Sequence, residues 1–250
     1  MGKHLTIAER YAGARESGVP LVGGHRGNSA ELPENTIAAY ESAIALGVDL
    51  IECDVHLSAD GELIVIHDHA LDRTTNGSGL VLQHSFEELR ALDAGQGQRL
   101  PTLAEVCDVV RDRVGLCIET KQLPLPYLGL ERQLVTVLRE LGMVDQACVI
   151  SFSHPSIRLV KELEPGLQVG AIEGARPMRP VEIASAALAD IYAPQWAALD
   201  PELVDELHEA GKVVAAWTVD DRVGAAWCRH CGPDSVFTNR PREILPQLRA

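Results

Sequence analysis

Basic residues are scarce in this sequence. Lys and Arg total 22 against 36 Asp and Glu, which gives a formal net charge of −14 over 250 residues. A surface this acidic repels DNA, RNA and anionic membranes at long range. Nucleic acid is therefore not expected as a partner. An anionic substrate would need a bound cation or a few well-placed basic side chains.

Long apolar runs are also missing. Residues 1–18 carry charged side chains without an apolar segment or cleavage site, so no secretory signal is expected there. No stretch approaches the roughly 18 to 20 apolar residues of a membrane span. The six cysteines form no evenly spaced framework, which argues against a disulfide scaffold and suits a reducing compartment. We therefore expect a cytoplasmic protein without stable membrane insertion.

Short runs rich in Val and Ile alternate with segments of helical periodicity. Such runs are typical of strands buried on both faces, and repeated strand–helix units predict a parallel sheet. About eight units in a chain of this length favour a (β/α)8 TIM barrel over an open, doubly wound sheet. Strands are predicted at 20–24, 49–55, 63–66, 114–119, 147–151, 168–172, 190–192, 212–218 and 235–238. Helices are predicted at 36–46, with Asn35 as cap, and at 85–92, 126–141, 154–163, 180–188, 201–210, 221–230 and 242–249.

Residues 69–113 break this rhythm. They hold clusters of Asp, Thr, Asn, Gly and Gln and one clear helix, at 85–92. We expect a small insertion after the second strand, over the C-terminal face where barrel enzymes place their active sites. No linker or shift in composition marks a second domain, so residues 1–250 are expected to form a single barrel domain.

Polar side chains gather where strands are predicted to end. They are His25-Arg26-Gly27, Glu52 with Asp54, His67-Asp68, and Glu119 with Lys121. Side chains i and i+2 of a strand share a face, so the two members of each pair point the same way. Three carboxylates meeting inside an apolar barrel are costly unless they are paired. A hard divalent cation such as Mg2+, Ca2+ or Mn2+ removes that cost.

The same strand ends supply the other requirements of phosphodiester hydrolysis. Arg26 offers a planar, bidentate partner to phosphate, and Lys121 offers a point charge. His25 and His67 can divide the proton transfers, one as base and one as acid. Each motif alone is often structural, but their combination at successive strand ends indicates a catalytic site. No G-x-G-x-x-G or Walker A motif is present, so a nucleotide cofactor is not implied.

Further motifs cover nearly the whole chain. In order they are His25-Arg26-Gly27, Pro33-Glu34-Asn35-Thr36, Glu52-Cys53-Asp54-Val55, His67-Asp68, Leu71-Asp72-Arg73-Thr74-Thr75, Pro101-Thr102-Leu103, Glu119-Thr120-Lys121, Ser151-Phe152, Trp217-Thr218-Val219 and Phe237-Thr238-Asn239-Arg240-Pro241. This set closely resembles the glycerophosphodiester phosphodiesterase family, and the block from residue 24 to 75 is its most specific part.

The resemblance implies a (β/α)8 barrel with a small insertion after the second strand. It implies metal-dependent hydrolysis of a small glycerophosphodiester to sn-glycerol 3-phosphate and an alcohol. It also implies a divalent cation, Mg2+ or Ca2+ with Mn2+ as a further option, on Glu52, Asp54 and Glu119. His25 and His67 are the implied acid–base pair.

The resemblance assigns the substrate side of the site as well. It implies Arg26 and Lys121 on the phosphate and Glu34 beside the metal or the substrate. Phe152 and Trp217 are the implied walls of the pocket around the glycerol or the leaving alcohol.

Two positions depart from the family pattern. Asp220 stands where the family often has Asn, and Asn239 stands where it often has Asp. The nucleophile, either water or the 2-hydroxyl of the substrate, stays open, as do the head group, the metal and the oligomeric state. Two other functions also remain: a lysophospholipase D acting on lysophospholipids, and a barrel that binds phosphodiesters without turnover.

Overall fold

A closed ring of eight parallel strands forms the centre of the molecule. The computed structural model describes residues 5–249, and its strands are β1 (Leu21–His25), β2 (Leu50–Leu57), β3 (Leu63–Val65), β4 (Gly115–Thr120), β5 (Ala147–Ser151), β6 (Gln168–Glu173), β7 (Ile191–Pro194), β8 (Val213–Ala216) and β9 (Ser235–Thr238). All except β3 pair in parallel in the order β1-β9-β8-β7-β6-β5-β4-β2, and β2 pairs back with β1. The predicted (β/α)8 barrel is confirmed.

Helices follow the strands and cover the barrel. They are α1 (Ile7–Ser17), α2 (Ile37–Leu46), α3 (Phe86–Ala91), α4 (Leu103–Val110), α5 (Leu130–Glu140), α6 (His154–Leu163), α7 (Pro180–Ala186), α8 (Pro201–Glu209), α9 (Arg222–Cys231) and α10 (Pro241–Leu248). Several begin at a Pro, whose missing N–H costs nothing in a first turn. Their apolar faces join the outward-facing strand residues in one large core.

Two of these helices, α1 and α4, are absent from the sequence prediction. Both begin with a capping box, Thr6 with Glu9 and Thr102 with Glu105, in which each side chain bonds the other residue's backbone N–H. Helix α4 lies inside residues 69–113, so this stretch holds two α-helices rather than one, besides a short 3-10 helix at Val81–Gln83. Because α4 packs against α2 and β4, it serves as the helix of its barrel unit.

The insertion after the second barrel strand lies between β2 and α4. Strand β3 turns back antiparallel to β2, and the chain then winds around a small apolar cluster of its own before α4 begins. The cluster comprises Ile64, Ile66, Leu71, Val81, Leu89, Ala94 and Leu100. This separate core gives the insertion a fixed shape beside the C-terminal face of the barrel.

Helix α1 closes the opposite end of the barrel. Ile7 and Tyr11 pack with the inward-facing strand residues, and the Tyr11 hydroxyl lies 3.5 Å from Ser235 Oγ at the start of β9. Arg15 ion-pairs with Asp234 at 2.9 Å. Within residues 5–249, α1 therefore covers the N-terminal end of the barrel interior.

The start of α2 differs from the prediction. Thr36, not Asn35, is the N-cap, because the Thr36 side chain accepts the Ala39 N–H. Asn35 instead has a positive φ of 57° and donates from Nδ2 to Asp54 Oδ2 at 2.8 Å. Its amide therefore supports a strand carboxylate rather than a helix end.

Two whole-chain features bear on the sequence expectations. Between residues 5 and 249, no helix is both long enough and apolar enough to cross a bilayer. All six cysteines carry free, buried thiols.

Candidate active site

Strand register brings the predicted site residues together. His25 at the end of β1 pairs with Glu52 of β2, and Asp54 of β2 pairs with Glu119 of β4. These positions lie at the carboxyl ends of three adjacent strands, as expected for the active-site face of a barrel. Lys121 follows directly after β4 and points back to the same place.

The turn after β1 places backbone as well as side chains in the site. Arg26 and Gly27 both have positive φ, 57° and 83°. A Cβ on Gly27 would lie 2.6 Å from the backbone carbonyl carbon of Ala39, so only glycine fits there. The turn aims the Arg26 N–H at Glu52 Oε2, at 2.9 Å.

Three buried carboxylates form the floor of the site. Glu52, Asp54 and Glu119 each offer an oxygen within 4.8 Å of the others. Oxygens that share one cation at about 2.1 to 2.4 Å lie at most about 4.8 Å apart, so this spacing suits a single ion. The donors are all oxygen, which favours a hard divalent cation over Zn2+.

The charges around these carboxylates also fit a cation. Glu52 Oε1 is buried without a hydrogen bond. Lys121 Nζ lies 2.6 Å from Glu119 Oε1 and 2.9 Å from Asp54 Oδ1, but its alignment with Asp54 falls short of a hydrogen bond. Arg26 Nε lies 3.3 Å from Asp54 Oδ2. When all three carboxylates are ionised they outnumber Lys121 and Arg26, and Arg26 is also shared with Glu34, so the cluster favours a bound cation.

Burial shifts the protonation of the cluster. It raises the pKa of Glu52 to about 8, with the neighbouring Asp54 charge adding to the effect. It also raises the pKa of Glu119 to about 7, against the opposing pull of Lys121. Burial alone would raise the pKa of Asp54 as well, but Lys121 and Arg26 outweigh it and hold that pKa below its ordinary value. Asp54 therefore loses its proton more readily than the other two carboxyl groups.

His25 is held by an amide. Its Nδ1 lies 2.7 Å from Asn239 Oδ1, and its Nε2 faces the carboxylates, 4.0 Å from Glu52 Oε2. Because the amide oxygen can only accept, Nδ1 carries the proton and Nε2 presents a lone pair to the site. Burial and the Arg26 charge lower the pKa of His25, which favours this neutral form.

His67 is held by a carboxylate. Its Nδ1 lies 2.6 Å from Asp68 Oδ1, and its backbone carbonyl lies 3.0 Å from Nε2 of the buried His56. Burial lowers the pKa of His67, whereas Asp54 and the Asp68 hydrogen bond oppose the shift. The two histidines thus differ in the charge of the hydrogen-bond partner at Nδ1, which is a neutral amide for His25 and a carboxylate for His67.

Arg73 connects the His67 side of the site to the Arg26 side. Its guanidinium bonds Asp68 at 2.6 and 3.0 Å and Glu34 at 2.7 and 2.9 Å. Glu34 in turn accepts from Arg26 at 3.0 Å. Glu34 is therefore a bridge between two arginines. The sequence contained Arg73 in a motif, but no spacing rule pointed to its role.

The barrel interior opens into a cavity of about 120 Å3 beneath the carboxylates. Its walls include Phe152 and Trp217, whose rings meet edge to face at 5.4 Å. A wider groove of about 410 Å3 runs on the other side of His67, between the insertion and Leu123. Phe152 borders both spaces. Both spaces also border His67, Glu119 and Lys121.

Comparison with known proteins agrees with this geometry. Residues 25–243 match the glycerophosphoryl diester phosphodiesterase family. A glycerophosphodiester phosphodiesterase from Caldanaerobacter subterraneus subsp. tengcongensis is 37% identical over 237 residues, which cover 92% of this chain and 98% of the relative.

The chain belongs to the glycerophosphodiester phosphodiesterase family.

Solved structures of similar proteins share the barrel. A phosphodiesterase from Oleispira antarctica, solved in complex with the product sn-glycerol-3-phosphate, is 30% identical with a TM-score of 0.84, covering 94% of this chain and 99% of that one. A glycerophosphodiester phosphodiesterase from Agrobacterium tumefaciens is 29% identical with a TM-score of 0.80, covering 91% and 99%. As a member of this family, the chain is a phosphoric diester hydrolase whose buried acidic cluster is compatible with a divalent cation.

Proposed function

We propose that this chain hydrolyses glycerophosphodiesters to sn-glycerol 3-phosphate and an alcohol in a metal-dependent reaction. The observation that carries the proposal is the cluster of Glu52, Asp54 and Glu119 with a histidine on each side. The product named for the Oleispira antarctica relative supports the glycerol phosphate half of the substrate. A barrel that only binds phosphodiesters would not need two oriented histidines.

Mg2+ or Ca2+, with Mn2+ as a further option, is the proposed cofactor. Glu52, Asp54 and Glu119 would hold it. When bound, the cation supplies polarisation of the phosphoryl group and activation of an oxygen nucleophile. Its positive charge also offsets the acidic protein around an anionic substrate.

The two histidines take different roles in this proposal. His25, backed by a neutral amide, accepts the proton of the nucleophile at Nε2. His67, backed by the Asp68 carboxylate, is better able to carry a positive charge and gives its Nε2 proton to the leaving alcohol. The assignment rests on their hydrogen-bond partners.

The substrate contacts follow from the same geometry. Arg26 and Lys121 bind the phosphate oxygens, with Glu34 orienting Arg26. Phe152 and Trp217 form apolar walls around the glycerol or the leaving alcohol. The whole chain, residues 1–250, is proposed to act as one barrel domain on a small-molecule substrate in the cytoplasm, and its free thiols suit a reducing compartment.

Lysophospholipase D activity is the second candidate. The groove beside His67 is lined in part by Leu123, Pro124 and Phe152, and the Leu123 and Phe152 side chains are exposed. Such a surface could hold part of an acyl chain. The reaction would be the same, with a lysophospholipid in place of the water-soluble diester.

A substrate panel separates these functions. The purified, Mg2+-loaded chain is given glycerophosphocholine or lysophosphatidylcholine, and choline and sn-glycerol 3-phosphate are measured. The proposal predicts faster release from glycerophosphocholine. Faster choline release from the lysophospholipid would favour lysophospholipase D, and tight binding without product from either substrate would favour a binding protein.

A further inference from the structure

The hydrogen bonds behind His25 continue to a second residue. Asn239 follows β9, and Asp220 lies four residues beyond the end of β8. Asp220 Oδ1 accepts the Asn239 backbone N–H at 2.8 Å and the Thr238 hydroxyl at 3.1 Å. Asp220 Oδ2 accepts from Asn239 Nδ2 at 2.6 Å. The carboxylate therefore accepts hydrogen bonds from both the backbone and the side chain of Asn239.

These contacts determine which end of the Asn239 amide faces His25. A carboxylate oxygen can only accept, so the amide nitrogen must face Asp220 and the amide oxygen must face His25 Nδ1. Ser29 does not decide the orientation. Its hydroxyl lies 2.8 Å from both the His25 carbonyl and Asn239 Oδ1, but it has one proton and can donate to only one of them.

We propose that Asp220 and Asn239 form a positioning pair that holds His25 in the tautomer with the proton on Nδ1. Neither residue lines the cavity or the groove at the carboxylate cluster. Asp220 orients the amide, the amide takes the Nδ1 proton, and Nε2 is left as a lone pair aimed into the site. The inference rests on the proposed function only where it calls His25 the base; the tautomer itself follows from the contacts.

The replacement Asp220→Asn tests this chain of contacts. The Asn239 backbone N–H keeps an oxygen at the Oδ1 position, so the new amide nitrogen would take the Oδ2 position, 2.6 Å from Asn239 Nδ2. The Asn239 side chain should turn over, present its nitrogen to His25 Nδ1 and move the imidazole proton to Nε2. Loss of a group that orients a catalytic-site histidine costs about 10- to 100-fold in activity, so we expect kcat to fall by that factor with little change in KM.

The exchange of the two residues should repair the defect. In the double variant Asp220→Asn with Asn239→Asp, the amide lies at the outer position and the carboxylate faces His25 Nδ1. Each donor again meets an acceptor. We expect the Nδ1–H tautomer to return and most of the kcat with it. Asp221→Asn is the matched control, because Asp221 caps α9 through the Gly224 N–H and Asn caps equally well.

The readout is the 15N spectrum of the histidine rings in the Mg2+-loaded protein, with His25 assigned from a His25→Ala sample, beside kcat on glycerophosphocholine. We expect Nδ1–H in the wild type, Asp221→Asn and the exchanged double variant, and Nε2–H in Asp220→Asn. Nε2–H in the wild type would overturn the inference even if Asp220→Asn fails to fold. So would an Asp220→Asn variant with wild-type tautomer and kcat, or a double variant as slow as Asp220→Asn. A wild type that holds Nδ1–H but hydrolyses no glycerophosphodiester would contradict the proposed function and leave the positioning pair intact.

Discussion

Each of the two proposed catalytic histidines has a hydrogen-bond partner at Nδ1, a neutral amide for His25 and a carboxylate for His67. If His67 donates a proton to the leaving alcohol, its loss should matter little when the alcohol leaves without protonation. We expect His67→Ala to lose about 10²- to 10⁴-fold in kcat on glycerophosphocholine, but far less on the p-nitrophenyl diester of glycerol phosphate. His25→Ala should lose a similar factor on both substrates. Steady-state kinetics on the two diesters makes the comparison.

Thermal unfolding serves as the control for both variants. His25 and His67 lie at strand ends rather than in the apolar core, so their Tm values should stay close to that of the wild type. The opposite pattern, with His25→Ala rescued by the better leaving group, would reverse the roles of the two histidines. Equal losses of kcat for both variants on both substrates would mean that neither histidine acts as the acid that protonates the leaving alcohol.

Arg73 is the residue that joins Asp68 to Glu34. Lysine has no planar fork and cannot hold two carboxylates in the same way. We expect Arg73→Lys to lower kcat about tenfold, since tuning partners around a site are worth about that much. The Arg73 side chain is 47% exposed, so the free energy of unfolding should change by less than about 1 kcal/mol.

Arg90 offers a matched control for that variant. Its guanidinium donates two hydrogen bonds to Glu105, at 2.6 and 2.7 Å, and its side chain is 40% exposed. Arg90 lies away from the carboxylate cluster. Arg90→Lys should have a similar effect on Tm and none on kcat. If the two variants were equally active, Arg73 would be a surface ion pair without influence on His67.

The sequence could indicate the proposed reacting groups but not the residues that orient them. The i, i+2 spacing of Glu52 with Asp54 and of Glu119 with Lys121 predicts which way they point, and the structure brings them together. Asn35 and Arg73 depend on contacts between distant segments, which spacing does not reveal. Asp220 and Asn239 stood out only as two opposite departures in charge. The structure shows why they go together, because they bond each other directly.

Helix α1 is the element that seals the barrel at its N-terminal end. The Tyr11 side chain is 3% exposed and packs on the inner strand residues. Its removal leaves a cavity there, so we expect Tyr11→Ala to lower the free energy of unfolding by about 3 kcal/mol. Chemical denaturation measures the difference.

Tyr11→Phe is the control for that variant. It keeps the ring and removes only the 3.5 Å contact with Ser235. Its stability should lie within about 1 kcal/mol of the wild type. If Tyr11→Ala changed the free energy of unfolding as little as Tyr11→Phe does, the packing of α1 on the barrel core would not contribute to stability.

At this scale the strands were easier to predict than the helices. All nine predicted strands exist, with ends shifted by a few residues, because a buried parallel strand is a short apolar run with no competing pattern. Helix α1 is rich in charged residues, and its buried face is only Ile7, Tyr11 and Ala14. Helix α4 follows the polar insertion directly, so its apolar face was not recognised in the sequence. That face consists of Leu103, Val106, Cys107 and Val110. The capping boxes were the signals that could have found both.

For the whole molecule, metal binding and stability should both depend on pH. The raised pKa values of Glu52, about 8, and Glu119, about 7, mean that the folded metal-free protein binds protons that the unfolded chain has already released. Stability without metal should therefore fall as the pH rises from about 4.5, the ordinary pKa of Glu, and level off above about 7 to 8. A cation needs the deprotonated carboxylates, so the Tm gain from Mg2+ should grow over the same range.

Thermal scans with Mg2+ or with a chelator, across that pH range, measure both effects. Glu119→Gln removes one titrating ligand and should weaken both trends. Glu87→Gln, on the exposed surface of α3, should follow the wild type. A Tm gain from Mg2+ that is the same at every pH, or the same in Glu119→Gln, would mean that the ion binds elsewhere.

The most direct test of the central claim is metal restoration. The protein is stripped of metal and given glycerophosphocholine, Mg2+, Ca2+ or Mn2+ is added back, and sn-glycerol 3-phosphate is measured. The carboxylate cluster predicts no turnover in the stripped protein, restoration by at least one of these ions, and no restoration in Glu119→Gln. Turnover that is equal with and without metal, or absent with all three ions, would contradict the account.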